Sequence, residues 1–158
     1  MNGDDAFKMS LDIFDVLIPR KTLTNIDIDE YVKVLNIPNY RGTFMLDELP
    51  KKIKNIECGI VNFNFSYQSG THWVCYYKNK EERLYFDSFG LITPIQIQKY
   101  LKTPYQFKHN IAVIDRQNDV LQPYNTVICG HLCLYFFKSI SLGYNYRQTL
   151  NNLTHRKL

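Results

Sequence analysis

Hydrophobic and polar positions alternate over two stretches in the middle of the chain. Ile60-Val61-Asn62-Phe63-Asn64-Phe65 and the aromatic run from His72 to Tyr77 both read at the two-residue period of a strand, with Ser69-Gly70 breaking the chain between them. The polar stretch Lys78–Glu82 then turns the chain into a third strand, Arg83–Phe86, so the second and third strands form an antiparallel hairpin. Elsewhere the period is helical. Ile28, Tyr31, Val32 and Leu35 fall on one face, Thr24 and Asp27 open that segment as a capping box, and Pro38 stops it. This predicts a helix over residues 24–36. Thr93-Pro94-Ile95-Gln96 is another helix start, with Ile97, Tyr100 and Leu101 on its buried face. From Cys129 to Ile140 the residues are apolar nearly all round, so this helix runs through the core. A short strand over Ile111–Ile114 and a last helix around Tyr144–Leu153 complete the pattern, and Tyr40–Pro50 reads as loop or turn.

These elements predict an α+β fold: a central sheet, mostly antiparallel or mixed, packed by a buried helix, with flanking helices. A chain of 158 residues is long enough for one cored domain, and no repeat, linker or low-complexity tract divides it. Residues 1–158 are therefore read as a single domain, with 1–20 as a flexible or loosely packed extension. The twelve Tyr and ten Phe argue for packed strands and against disorder. Nineteen Lys and Arg against fifteen Asp and Glu leave a net charge of +4, scattered along the chain with no basic run. That suits weak contact with nucleic acid or acidic partners and excludes a dedicated DNA-binding signature. The acidic, polar N-terminus lacks signal-peptide character and no apolar run is long enough to span a bilayer, so no membrane partner is expected. An intracellular, thiol-reduced, monomeric protein is the simplest expectation.

The chemistry centres on Cys129. It opens the buried helix behind a polar turn, where free N–H groups and the helix dipole stabilise negative charge on sulfur. Gly130 follows it and leaves the backbone room to approach a substrate. A cysteine nucleophile also needs a base, a group that orients the base, and donors for an oxyanion. His72 begins the aromatic strand, and Asp87 ends the next one. A hairpin centred between residues 79 and 80 sets them opposite one another, a carboxylate beside an imidazole. Gln122, seven residues before Cys129, supplies a side-chain donor. Each residue alone has an ordinary structural reading: a buried thiol, a strand histidine, a turn aspartate, a solvated loop glutamine. Cys129, His131 and Cys133 do not read as a metal site, because i and i+2 on a helix point to nearly opposite sides.

Taken in order, GTHW (Gly70–Trp73), LYFDSFG (Leu84–Gly90) and QPYNTVICGHLC (Gln122–Cys133) resemble the adenovirus-type endopeptidase (adenain) family, within a larger clan that includes the SUMO-specific proteases. YRGTFMLDELP and GIVNFN upstream also look like that family's substrate-side loop and first strand, as found in Polinton- and adintovirus-like elements, so the resemblance spans residues 24–140. It implies that Cys129 is the nucleophile, His72 the general base, Asp87 the orienting acid and Gln122 an oxyanion donor. Trp73 is similar to the family tryptophan that lines the substrate cleft, which implies small, glycine-like residues before the scissile bond. The implied substrates are viral capsid and core precursor polypeptides, cut during virion maturation in the host nucleus or cytoplasm or within the virion. Asp87 stands where the adenoviral enzymes carry Glu. No cysteine lies between Cys75 and Cys129, where those enzymes hold the one that bonds an activating peptide, so no cofactor is expected. Two rival functions are a protease acting on ubiquitin- or SUMO-like conjugates and a non-catalytic virion or nucleic-acid-associated module.

Overall fold

The computed structural model describes residues 6–11, 14–64, 72–109, 112, 114 and 127–154. Its elements are β1 (Ala6–Leu11), β2 (Phe14–Pro19), α1 (Asn25–Val34), β3 (Tyr40–Met45), β4 (Glu57–Asn62), β5 (Trp73–Lys78), β6 (Arg83–Phe86), α2 (Ile95–Leu101), α3 (Pro104–Lys108), α4 (Cys129–Ser141) and α5 (Tyr146–Thr154). The fold is α+β. Strands β3-β4-β5-β6 form a mixed sheet in that order, parallel between β3 and β4 and antiparallel thereafter.

Helix α1 has the expected capping box. The Asp27 amide donates to Thr24 Oγ1 at 3.1 Å, and the Thr24 amide donates to Asp27 Oδ2 at 3.0 Å. Helix α2 differs by one residue from its predicted start. Pro94 is its N-cap and Thr93 is buried, so the first turn has no side-chain cap. Tyr40–Met45 is a strand, not a loop. Its six residues are all half-buried, which removes the alternation that would have marked it. Gly42, at φ +151°, lies where the register with β4 shifts, a backbone conformation that glycine adopts without steric cost. Helix α3 was also not anticipated. The strand expected over 111–114 falls where only residues 112 and 114 are described, and neither is in a strand.

The sheet separates two apolar clusters. On one face, Ile60, Trp73, Cys75, Leu84 and Phe86 pack against α4 and α1. On the other, Val61, Val74, Tyr76 and Tyr85 pack with Ile97 and Leu101 of α2. Both faces of the sheet are therefore covered, and α4 is enclosed: every residue from Cys129 to Phe137 is buried. The N-terminal segment, read as a loose extension, contains the antiparallel β1–β2 hairpin, whose Phe7, Met9 and Ile18 join the α4 cluster. That hairpin is tied to α4 by His131, whose Nε2 is 2.7 Å from the Pro19 carbonyl oxygen. No described helix is long and apolar enough to cross a membrane.

Candidate active site

His72, Asp87 and Cys129 come together where β5 begins, β6 ends and α4 starts. The pairing of β5 with β6 runs Cys75↔Phe86 through Lys78↔Arg83, two residues away from the register read off the sequence. A slip of two preserves the facing of every side chain, so His72 reaches Asp87 diagonally instead of directly. Its Nε2 lies 2.7 Å from Asp87 Oδ1. Asp87 is fully buried and fixed by a tight turn: the Phe89 amide donates to Oδ1 at 2.8 Å and the Leu91 amide to Oδ2 at 3.2 Å. An acceptor-only carboxylate so placed fixes the tautomer with the proton on Nε2.

The other ring nitrogen, His72 Nδ1, is buried and makes no hydrogen bond among the described residues. With Nε2 committed to Asp87, Nδ1 is the nitrogen left open, and Cys129 is near enough to act on the charge of the ring. Burial works against a charged ring. The Asp87 hydrogen bond, the neighbouring Cys129 sulfur and the Asp87 charge outweigh it and lift the His72 pKa from 6.5 to about 9. The ring of Phe89 stacks on the imidazole with centroids 4.1 Å apart, and Phe63 leans against it at 5.9 Å.

Cys129 is buried at the first turn of α4. Ile128 caps that helix without a side-chain hydrogen bond, and the first turn carries no acidic residue, so side chains do not compete for the amides there. The Trp73 amide reaches Cys129 Sγ at 3.4 Å. The Trp73 indole is in turn fixed by donating Nε1–H to the Leu23 carbonyl at 2.8 Å. A Cβ on Gly130 would meet Leu23 Cδ1 at 3.2 Å and Trp73 Cδ1 at 3.3 Å. The missing side chain therefore lets α4 sit close against Leu23 and the tryptophan. Gln122 lies outside the described residues.

The same face holds a cavity of about 370 Å³ beside Trp73, lined by Leu23, Thr43, Met45, Glu48 and Asn62 among others. Phe89, Leu23 and Asn62 had no role in the sequence reading. Phe89 lies inside the quoted aromatic motif and was legible there. The other two meet the site only through long-range packing. At the opposite end of β5 the structure gathers lysines from three stretches of the chain: Lys51, Lys52, Lys54, Lys80, Lys99 and Lys102 line two adjoining hollows.

No protein-family model matches the chain. No curated protein sequence matches it either. Among solved structures, the crystal structure of the ASFV pS273R protease superposes with a TM-score of 0.53 at 15% identity, over 87% of this chain and 63% of that one. This chain thus spans less than two thirds of that protein's length. Two structures of the SUMO protease Ulp1 match at a TM-score of 0.43. One has its catalytic cysteine oxidised to a sulfenic acid, with 15% identity over 92% of this chain and 83% of that one. The other is the C-terminal protease domain in complex with Smt3, the yeast ortholog of SUMO, with 14% identity over 98% and 92%. At such identities the likeness to the ASFV protease is one of fold.

Proposed function

We propose that the chain is a cysteine endopeptidase of the adenovirus-type family, in which Cys129 is the nucleophile, His72 the acid–base group and Asp87 its orienting partner. The observation that carries this is the buried His72 Nε2–Asp87 contact of 2.7 Å, which leaves Nδ1 for a cysteine at an uncapped helix start. A proton-transfer group needs such a lone pair beside its nucleophile and a carboxylate on its other nitrogen. Thiolate attack on the scissile carbonyl forms the C–S bond. The His72 imidazolium then protonates the leaving amine as the C–N bond breaks. Water attacks the resulting thioester, with His72 taking its proton, and the acid departs as the thiolate returns. Gln122 and the amides opening α4 are the proposed oxyanion donors, and Trp73 the cleft wall that favours glycine-like residues before the cut.

Viral structural precursors are the proposed substrates, on the sequence motifs and on a fold shared with a viral protease. The deciding experiment is incubation of co-encoded structural proteins with wild type and with Cys129→Ala, with cut sites mapped by mass spectrometry. Cuts by wild type alone, after small residues, support the reading. Cuts that persist in Cys129→Ala would sink it, and cleavage confined to ubiquitin- or SUMO-like conjugates would replace the substrate. We also propose weak nucleic-acid contact, for which the gathered lysines are the supporting observation.

A further inference from the structure

Of the two buried histidines among the described residues, His131 is the one the proposed chemistry does not use. It lies two residues past the nucleophile on α4, fully buried, with Phe7 of β1 edge-on at 5.6 Å. Its Nε2 is 2.7 Å from the Pro19 carbonyl oxygen, 112 residues away along the chain. A carbonyl only accepts, so Nε2 carries the proton there. Burial, helped by the charge of Arg20 and against the pull of the Pro19 hydrogen bond, lowers the pKa, so the ring is neutral.

The Pro19 carbonyl also takes the Lys21 amide at 2.9 Å, and Arg20 Nε donates to the Ala6 carbonyl at 3.2 Å, so the chain leaves the hairpin through a fixed turn. Only Arg20, Lys21 and Thr22, all exposed, separate that turn from Leu23. There the chain is fixed again. The Leu23 carbonyl takes the Trp73 indole N–H at 2.8 Å, and the Leu23 side chain packs where a Cβ on Gly130 would crowd it. Thr22, Leu23 and Thr24 form a wall of the cavity beside Trp73. Pro19–Leu23 is thus a short strap, with His131 at one end and the indole at the other. The main chain of Trp73 is held separately: its amide donates to Cys129 Sγ at 3.4 Å, and its carbonyl accepts from Cys133 Sγ at 3.6 Å. The strap therefore governs the tryptophan ring and not the backbone beside the nucleophile.

We infer that His131 is a positioning residue: through this strap it sets where Leu23 and the Trp73 indole stand in the cavity wall, and so how tightly a polypeptide is held there. The effect on turnover rests on the peptidase reading above; the effect on the indole does not. A slack strap weakens binding of substrate and transition state alike, which raises KM and leaves kcat in place.

Trp73 is the chain's single tryptophan, so its emission and its quenching by acrylamide report the ring directly. His131→Leu keeps an apolar side chain in the site and removes the donor. It should shift the emission to longer wavelength and increase quenching. KM for a fluorogenic peptide with glycine before the cut should rise about tenfold, the scale of one hydrogen bond, with kcat and Cys129 alkylation by iodoacetamide within about twofold of wild type. His131→Gln, whose amide N–H can meet the same carbonyl, should restore wild-type values. A glycine inserted between Lys21 and Thr22 leaves the His131 contact in place and lengthens the strap, so it should reproduce His131→Leu. A folded His131→Leu with unchanged emission and KM overturns the inference, even with a lower melting temperature, which marks a purely structural histidine. So do a joint loss of KM, kcat and alkylation, or a His131→Gln no better than His131→Leu. Wild-type emission and KM in the insertion variant overturn it as well, and that variant decides alone should His131→Leu fail to fold. If wild type is alkylated at Cys129 but cleaves no peptide, the peptidase reading fails, and emission and quenching still judge the strap.

Discussion

His72 lies between two groups that pull its charge the same way. Asp87 holds one nitrogen at 2.7 Å, and Cys129 lies near enough to raise the ring's pKa further. With its pKa raised to about 9, the imidazole keeps its proton well above the usual 6.5. The proposed peptidase should therefore hold its kcat/KM from neutral pH upward and lose it as pH climbs through about 9, when the imidazolium deprotonates. Asp87→Asn removes the main upward pull, so that limb should move down toward neutrality, with kcat/KM lower by about a hundredfold. A pH–rate profile on a fluorogenic peptide checks both. Linkage adds a stability signature. The contribution of this raised pKa is fully present below pH 6.5 and is lost as pH rises through about 9. Thermal melts across that window should show the decline in wild type and not in His72→Gln.

At the scale of elements, α4 is what holds the nucleophile still. Phe136 stacks on Phe86 of β6 with centroids 5.0 Å apart and meets Tyr146 of α5 edge-on at 5.8 Å. Phe136→Ala removes a fully buried ring from that seam and should destabilise the fold by about 3–5 kcal/mol, read from urea denaturation. The far end of the sheet is fastened differently. Glu57, buried in β4, accepts from Tyr76 Oη at 2.7 Å, Tyr100 Oη at 2.6 Å and Arg41 Nη1 at 2.9 Å, linking β3, β4, β5 and α2. Nothing in the local pattern marks this glutamate. Besides the Lys54 amide three residues back, its partners lie between 16 and 43 residues away and meet it only in the folded sheet.

Across the whole molecule, the two ends of the sheet carry different chemistry. The nucleophile and its partners occupy the start of β5, and the lysine-lined hollows its other end. If those lysines contact nucleic acid, a labelled oligonucleotide should bind weakly and lose affinity steeply with salt. Replacing Lys51 and Lys102 by Glu should lower the log–log salt slope by about one per lysine while leaving Cys129 alkylation unchanged. Salt-independent binding, or a slope the substitutions do not move, would count against the contact.

How much was legible in advance follows from the range of each signal. Capping at Thr24 and Asp27, the span of β6, the enclosed α4 and the order His72, Asp87, Cys129 are properties of a few adjacent residues or of their sequence order, and a linear reading reaches them. Strand β3, at the edge of the sheet, was missed because every one of its residues is half-buried and no period marks it. The β5–β6 register was off by two because alternation fixes which face a side chain takes and is blind to an even slip. The docking of the β1–β2 hairpin on α4, the Glu57 network and the lysine cluster join residues far apart along the chain. Local propensity carries no term for such meetings. Only the packing of both sheet faces, which decides what each side chain touches, brings them about.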